Sequence, residues 1–252
     1  MELFYACLRK HARKLALSYS LPLFYRAHTS EIQQSETIFD NNPLVKDIRG
    51  FVEKQIENDF GHGLEHAEKV TLDAGALVIV EAKTAGHTDA FVERRVILAQ
   101  IAGMLHDMKR KKENHAELGS VFASDLLKSY PVKDDERKEI KDAIRNHEAF
   151  KTTIAIDSDE GRLLSDCLYD ADKFQWGADN FITTLWDMVT FHNIPIEKFI
   201  KGYPKGLDYL DKIKHTFRTE TGRKYGPEII DIGLSIGKDL LKIILKECKR
   251  HY

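Results

Sequence analysis

A histidine and an aspartate stand side by side at positions 106 and 107, in "AGMLHDMKRKKENH" (102–115). Ile97, Leu98, Ile101, Met104 and Leu105 precede them with the spacing of a helix entering a core. His106 and Asp107 therefore arrive at the buried end of that helix, where charge is costly unless it is paired or bound to a metal. Two chemistries fit: a buried His–Asp hydrogen bond, or two metal ligands. Six of the eleven histidines fall between positions 62 and 147, at His62, His66, His87, His106, His115 and His147. Asp107, Asp170 and Asp172 supply carboxylates. Imidazole and carboxylate without thiolate suit Fe, Mn, Zn, Co or Mg rather than a structural zinc finger, and a carboxylate can bridge two ions.

Helices must position these groups. Strict apolar/polar alternation is scarce and no repeat is visible, which predicts an all-α bundle. An amphipathic helix is expected over 2–19, with Leu3, Phe4, Cys7, Leu8, His11 and Leu15 on one face. Residues 20–43, with Pro22, Pro43 and the polar "SEIQQSE", read as a linker, so 1–43 forms an N-terminal extension to an all-α domain over 44–252. Further helices are expected over 44–56, 64–83, 89–108 and 115–129. Another runs from "VKDDERKEI" to His147, and the next carries "LLSDCLYDADKF". "GYPKG" and "TGRKYGPE" read as turns, and Gly226-Pro227 as the start of the last helix.

Composition narrows the function. Lys plus Arg (38) and Asp plus Glu (40) nearly cancel, leaving a net charge of −2 and no basic field for nucleic acid. Cys7, Cys167 and Cys248 form no CxxC pair, which points to a reducing, cytoplasmic setting. No run reaches the length of a membrane span, and basic residues from Arg9 to Lys14 interrupt any signal-peptide core. Walker A, GxGxxG, GxSxG and HExxH motifs are absent.

In chain order the residues resemble the HD superfamily of metal-dependent phosphohydrolases, whose signature is a His, a later His-Asp pair and a distal Asp. "HAEKV" resembles the first motif (His66), "LHDM" the second (His106, Asp107) and "DADKF" the last (Asp172). The resemblance covers about residues 60–180. Asp170 and Asp172 cannot share a helical face, and the motif favours Asp172, leaving Asp170 to orient a ligand histidine. "NHAELGSVFASDLL" and "IRNHE" resemble the helices that follow in many members, which makes His115 and His147 candidates for a second ion bridged by Asp107. His62 lies four residues before His66; a ligand-orienting, phosphate-contacting or simple turn role is open to it. Lys109, in the basic run after the pair, is either a solvated charge or, with Arg110, a phosphate contact. Trp176 is either core or a stacking surface for a base.

The resemblance implies hydrolysis of a nucleotide or other small phosphate ester by metal-activated water, with Asp107, Lys109 and His62 as candidate catalytic groups. The cofactor it implies is one or two divalent ions: Mn, Fe, Co, Ni or Zn, with Mg as a further choice. Two other functions fit the same ligands: an HD-type di-iron oxygenase, and a non-catalytic metal- or ligand-sensing module.

Overall fold

A computed structural model describes residues 2–56 and 63–251, with side chains from 5 to 247 outside that gap. The described residues form twelve α-helices and no strand, so the chain is all-α. In chain order these are α1 (Glu2–Ala16), α2 (Leu23–Ala27), α3 (Thr29–Asn41), α4 (Pro43–Gln55), α5 (Leu64–Thr84) and α6 (Asp89–Leu105). They continue as α7 (His115–Leu126), α8 (Asp134–Arg145), α9 (Asp159–Phe174), α10 (Leu185–Phe191), α11 (Ile196–Ile213) and α12 (Glu220–His251). A π-helical turn over Asn180–Thr184 leads into α10.

The centre is the antiparallel pair α5–α6, joined by a short turn in which Gly86 adopts φ 79°. Both helices are apolar nearly all round, as expected of helices buried on several sides. They also approach closely. A Cβ on Gly103 would sit 2.7 Å from the Thr71 Cα, so only glycine lets α6 lie this near α5. α9 packs on α5, α8 joins α7 to α9, and α11 pairs with α12.

Three expectations change. Residues 20–43 are not a linker but largely helical: α3 packs on α5, with Phe39 buried and Ser35 bonded through its hydroxyl to the Leu72 carbonyl at 2.8 Å. The polar letters of "SEIQQSE" hid an inward-facing spacing through Ile32, Ser35 and Phe39, with Ser35 the polar member. "GYPKG" is not a turn but lies inside α11, with Pro204 within the helix. α12 begins at Glu220, so "TGRKYGPE" is helical and Pro227 sits inside the helix rather than at its start. The expected helix boundaries elsewhere agree to within a few residues.

Candidate metal centre

His106 ends α6 and Asp107 follows in the turn, both buried. The imidazole Nδ1 lies 2.7 Å from the Gly103 carbonyl, which only accepts, so Nδ1 carries the proton and Nε2 keeps its lone pair. That Nε2 is buried without a hydrogen-bond partner. The same device holds His147, at the end of the α8 segment, whose Nδ1 donates to the Ile144 carbonyl at 2.6 Å. His115 opens α7, with its Nδ1 3.3 Å from Glu148 Oε1, and His66 sits in the first turn of α5. Four imidazoles thus present Nε2 inward from four separate segments.

They meet on Asp107. Its Oδ2 lies 3.4 Å from His106 Nε2 and 3.8 Å from His66 Nε2. Its Oδ1 lies 3.5 Å from His147 Nε2 and 3.7 Å from His115 Nε2. Asp172 closes the first group, with Oδ1 3.4 Å from His66 Nε2 and 4.0 Å from His106 Nε2. Two ligands held about 2.1 Å from one ion lie about 3.0 Å apart at a right angle and about 3.4 Å at the tetrahedral angle. The spacings of 3.4–4.0 Å across the facing atoms therefore leave room for an ion in each group. Two sets of ligand atoms converge within 4.8 Å: His66, His106, Asp107 and Asp107, His115, His147. The donor set fits one or two divalent ions, with one carboxylate shared.

The protonation states suit ligation. Burial alone would raise the Asp172 carboxyl; the Lys173 ammonium, then His66 and His106, outweigh it and hold it well below the ordinary value. Lys173 is itself buried, bonded to Asp172 Oδ2 and to the His147 carbonyl at 3.0 Å. Burial, reinforced by Arg110 and His147 against the pull of Asp107, lowers His115 to about 4, so its imidazole is neutral near pH 7, as a ligand must be. His106 runs the other way: burial would depress it, but the Asp107 carboxylate more than compensates and raises it, which favours the imidazolium until an ion displaces the proton.

Packing fixes these positions. A Cβ on Gly119 would sit 3.2 Å from the His106 carbonyl oxygen, so the glycine four residues after His115 lets α7 close on the His-Asp turn.

The other expected residues fall elsewhere. His62 lies outside the described residues. Lys109 does not turn to the cluster: its Nζ lies 4.2 Å from the centre of the Phe122 ring. Arg110 reaches the site instead, its Nη1 donating to His115 Nε2 at 2.7 Å; that bond takes the lone pair an ion would use, so Arg110 must swing aside for His115 to ligate. Asp170 orients no histidine. Its Oδ1 accepts from Arg218 N at 2.9 Å, and its Oδ2 from Thr219 N at 2.8 Å and Thr219 Oγ1 at 2.7 Å, which ties α9 to the start of α12. His87 is exposed and stacks on Phe91. Sequence reasoning did not find Glu148 and Lys173; each directly follows a candidate ligand in "NHE" and "DADK", and that adjacency is the available signal.

The chain is similar to the crystal structure of a predicted HD superfamily hydrolase from an uncultured Thermotogales bacterium. The two share 21% identity over 86% of this chain and 95% of that one, with a TM-score of 0.46. No family model matches the chain. No curated protein matches it either. No helix among the described residues is long and apolar enough to cross a membrane.

Proposed function

We propose that this chain is a metal-dependent phosphohydrolase of the HD type. The observation that supports it most is the sharing of Asp107: each of its two oxygens faces a different pair of imidazoles. That arrangement suits two ions flanking one carboxylate, with Asp172 completing the first set. Divalent ions held there would supply Lewis acidity and a nucleophilic water near neutral pH.

The chain's own residues do the rest. The backbone carbonyls of Gly103 and Ile144, with Glu148, lock three imidazoles in the tautomer that turns Nε2 inward. Lys173 keeps Asp172 ionised. Arg110 lies beside His115 and lines the cavity that contains His66, so of the two basic residues the sequence offered for phosphate contact, Lys109 and Arg110, it is the one near the cluster. The substrate is a small phosphate ester. Water adds to phosphorus, the bond to the leaving oxygen breaks, and a proton from water goes to the departing alcohol.

The test is a panel of phosphate mono- and diesters and nucleotides with Mn, Mg, Co, Fe, Ni and Zn, beside Asp107→Ala and His106→Ala. Turnover that needs metal and disappears in both variants is expected. Metal-independent turnover, or turnover undiminished in both variants, contradicts the assignment.

A further inference from the structure

An open cavity of about 500 Å³ begins at His66 and Arg110 and runs between the metal cluster and helices α10 and α11. That is within the usual size of small-molecule sites. Its wall is strongly apolar, carrying among others Trp176, Phe181, Met188 and Leu207. Two of its polar groups are already committed. Gln175 Nε2 donates to Asp73 at 2.7 Å, and the Tyr203 hydroxyl donates to the Gly237 carbonyl at 3.0 Å. Asn180, Thr184 and Lys198 also line it, but most of the wall is apolar, so burial of an apolar group is the main contribution it offers a ligand.

One part of the wall is aromatic and exposed. Tyr209, 43% exposed, meets Phe150, 53% exposed, at 5.1 Å between ring centres. Phe150 holds a left-handed backbone, φ 61°, which is uncommon for a bulky residue and concentrates at ligand sites. It lies three residues after His147, so one short segment carries a candidate metal ligand and a ring that packs on Tyr209 of the cavity wall. On the same helix as Tyr209, Gly202 and Gly206 stand one turn apart inside α11 and line the cavity. A Cβ at either would meet nothing within 4 Å. Glycine weakens a helix interior, yet here it leaves the passage open.

We propose that this cavity takes the apolar organic group of the substrate, which makes that substrate the phosphate monoester of an aliphatic alcohol rather than a nucleotide. The inference rests on the phosphohydrolase assignment above. The phosphate lies toward His66 and Arg110 and the chain along Trp176 and Met188; hydrolysis releases the alcohol and inorganic phosphate.

The experiment compares n-decyl phosphate, methyl phosphate and AMP with Mn-loaded protein. In parallel, calorimetry follows n-decylphosphonate, which cannot be hydrolysed at its carbon–phosphorus bond, binding to metal-free protein. Each buried methylene is worth roughly a fourfold gain in kcat/KM, so decyl phosphate should exceed methyl phosphate by at least about 100-fold, and exceed AMP. Decylphosphonate should bind with a negative heat-capacity change. Gly206→Leu and Gly202→Leu fill open space on a helix that prefers leucine to glycine, so both should fold. Each should lower the decyl-to-methyl ratio at least about tenfold and weaken decylphosphonate binding in step. Preference for AMP, a ratio unmoved by both variants, or no decylphosphonate binding overturns the inference and leaves the hydrolase assignment standing. Decylphosphonate binding that both variants weaken, with no ester turned over, overturns the hydrolase assignment and upholds the apolar cavity.

Discussion

Replacing Asp170 and Asp172 separately should divide stability from metal binding, although the two lie two residues apart on α9. Asp170→Ala strips the acceptor from three donors, Arg218 N, Thr219 N and Thr219 Oγ1. A buried donor left unsatisfied costs about 1–3 kcal/mol, or roughly 6 kcal/mol for three. Part of this is offset. Burial pushes the Asp170 carboxyl up to about 6, so the wild type carries a poorly solvated charge at pH 8, and losing it returns about 3 kcal/mol at 1.36 kcal/mol per pH unit. The balance is a loss of about 3 kcal/mol, or roughly 6–12 °C in Tm for a chain of this size. Calorimetric melting of metal-free protein at pH 8 gives the first readout, and metal content after loading and desalting gives the second. Asp170→Ala should melt early and still take up the wild-type amount of metal. Asp172→Ala should lose metal, because its carboxylate faces His66 and His106 directly. The reasoning fails if Asp170→Ala loses metal at a temperature where it is folded, or if Asp172→Ala keeps full occupancy.

Three further outcomes are expected. Burial raises the Asp73 carboxyl from 3.8 to about 7, while Tyr25 and Gln175 both donate to its Oδ2. Its folded value lies above its unfolded one, so stability falls as pH rises from about 4 to about 7, by up to about 4 kcal/mol; Asp73→Asn should flatten that decline in Tm, and an unchanged slope would count against it. His115→Ala and His147→Ala should each remove one of two ions and leave the set at His66, His106, Asp107 and Asp172 filled, as read by elemental analysis; loss of both ions would break the two-set division. Gly103→Val should force α6 away from Thr71, lowering Tm by an amount equivalent to about 1–3 kcal/mol and reducing metal uptake with it; wild-type melting would show that the close approach is dispensable.

The clustering residues were legible because a metal site needs particular atoms, and His66, His106, Asp107, His115, His147 and Asp172, which the structure brings together, come from short helical motifs read in chain order. Their convergence was not legible, since it depends on contacts such as Gly103 against Thr71 and Gly119 against the His106 carbonyl. Asp170 shows the limit of neighbourhood reasoning: beside a ligand in sequence, it faces the opposite side of α9 and holds a helix start 48 residues away. Lys109 and Arg110 show the same for a charge run, where one side chain lies over Phe122 and its neighbour reaches the site. The helices within 20–43 and around Pro204 and Pro227 escaped because polar letters and prolines suggest breaks, while burial against α5 and pairing between α11 and α12 override local preference.

The sharing of Asp107 is tested most directly by anomalous diffraction from crystals of Mn-loaded protein, with data collected on both sides of the Mn absorption edge. Two peaks are expected on either side of the Asp107 carboxylate, about 3.5–4 Å apart, one among His66, His106 and Asp172 and the other between His115 and His147. Saturating metal with no peak touching Asp107 would contradict the account.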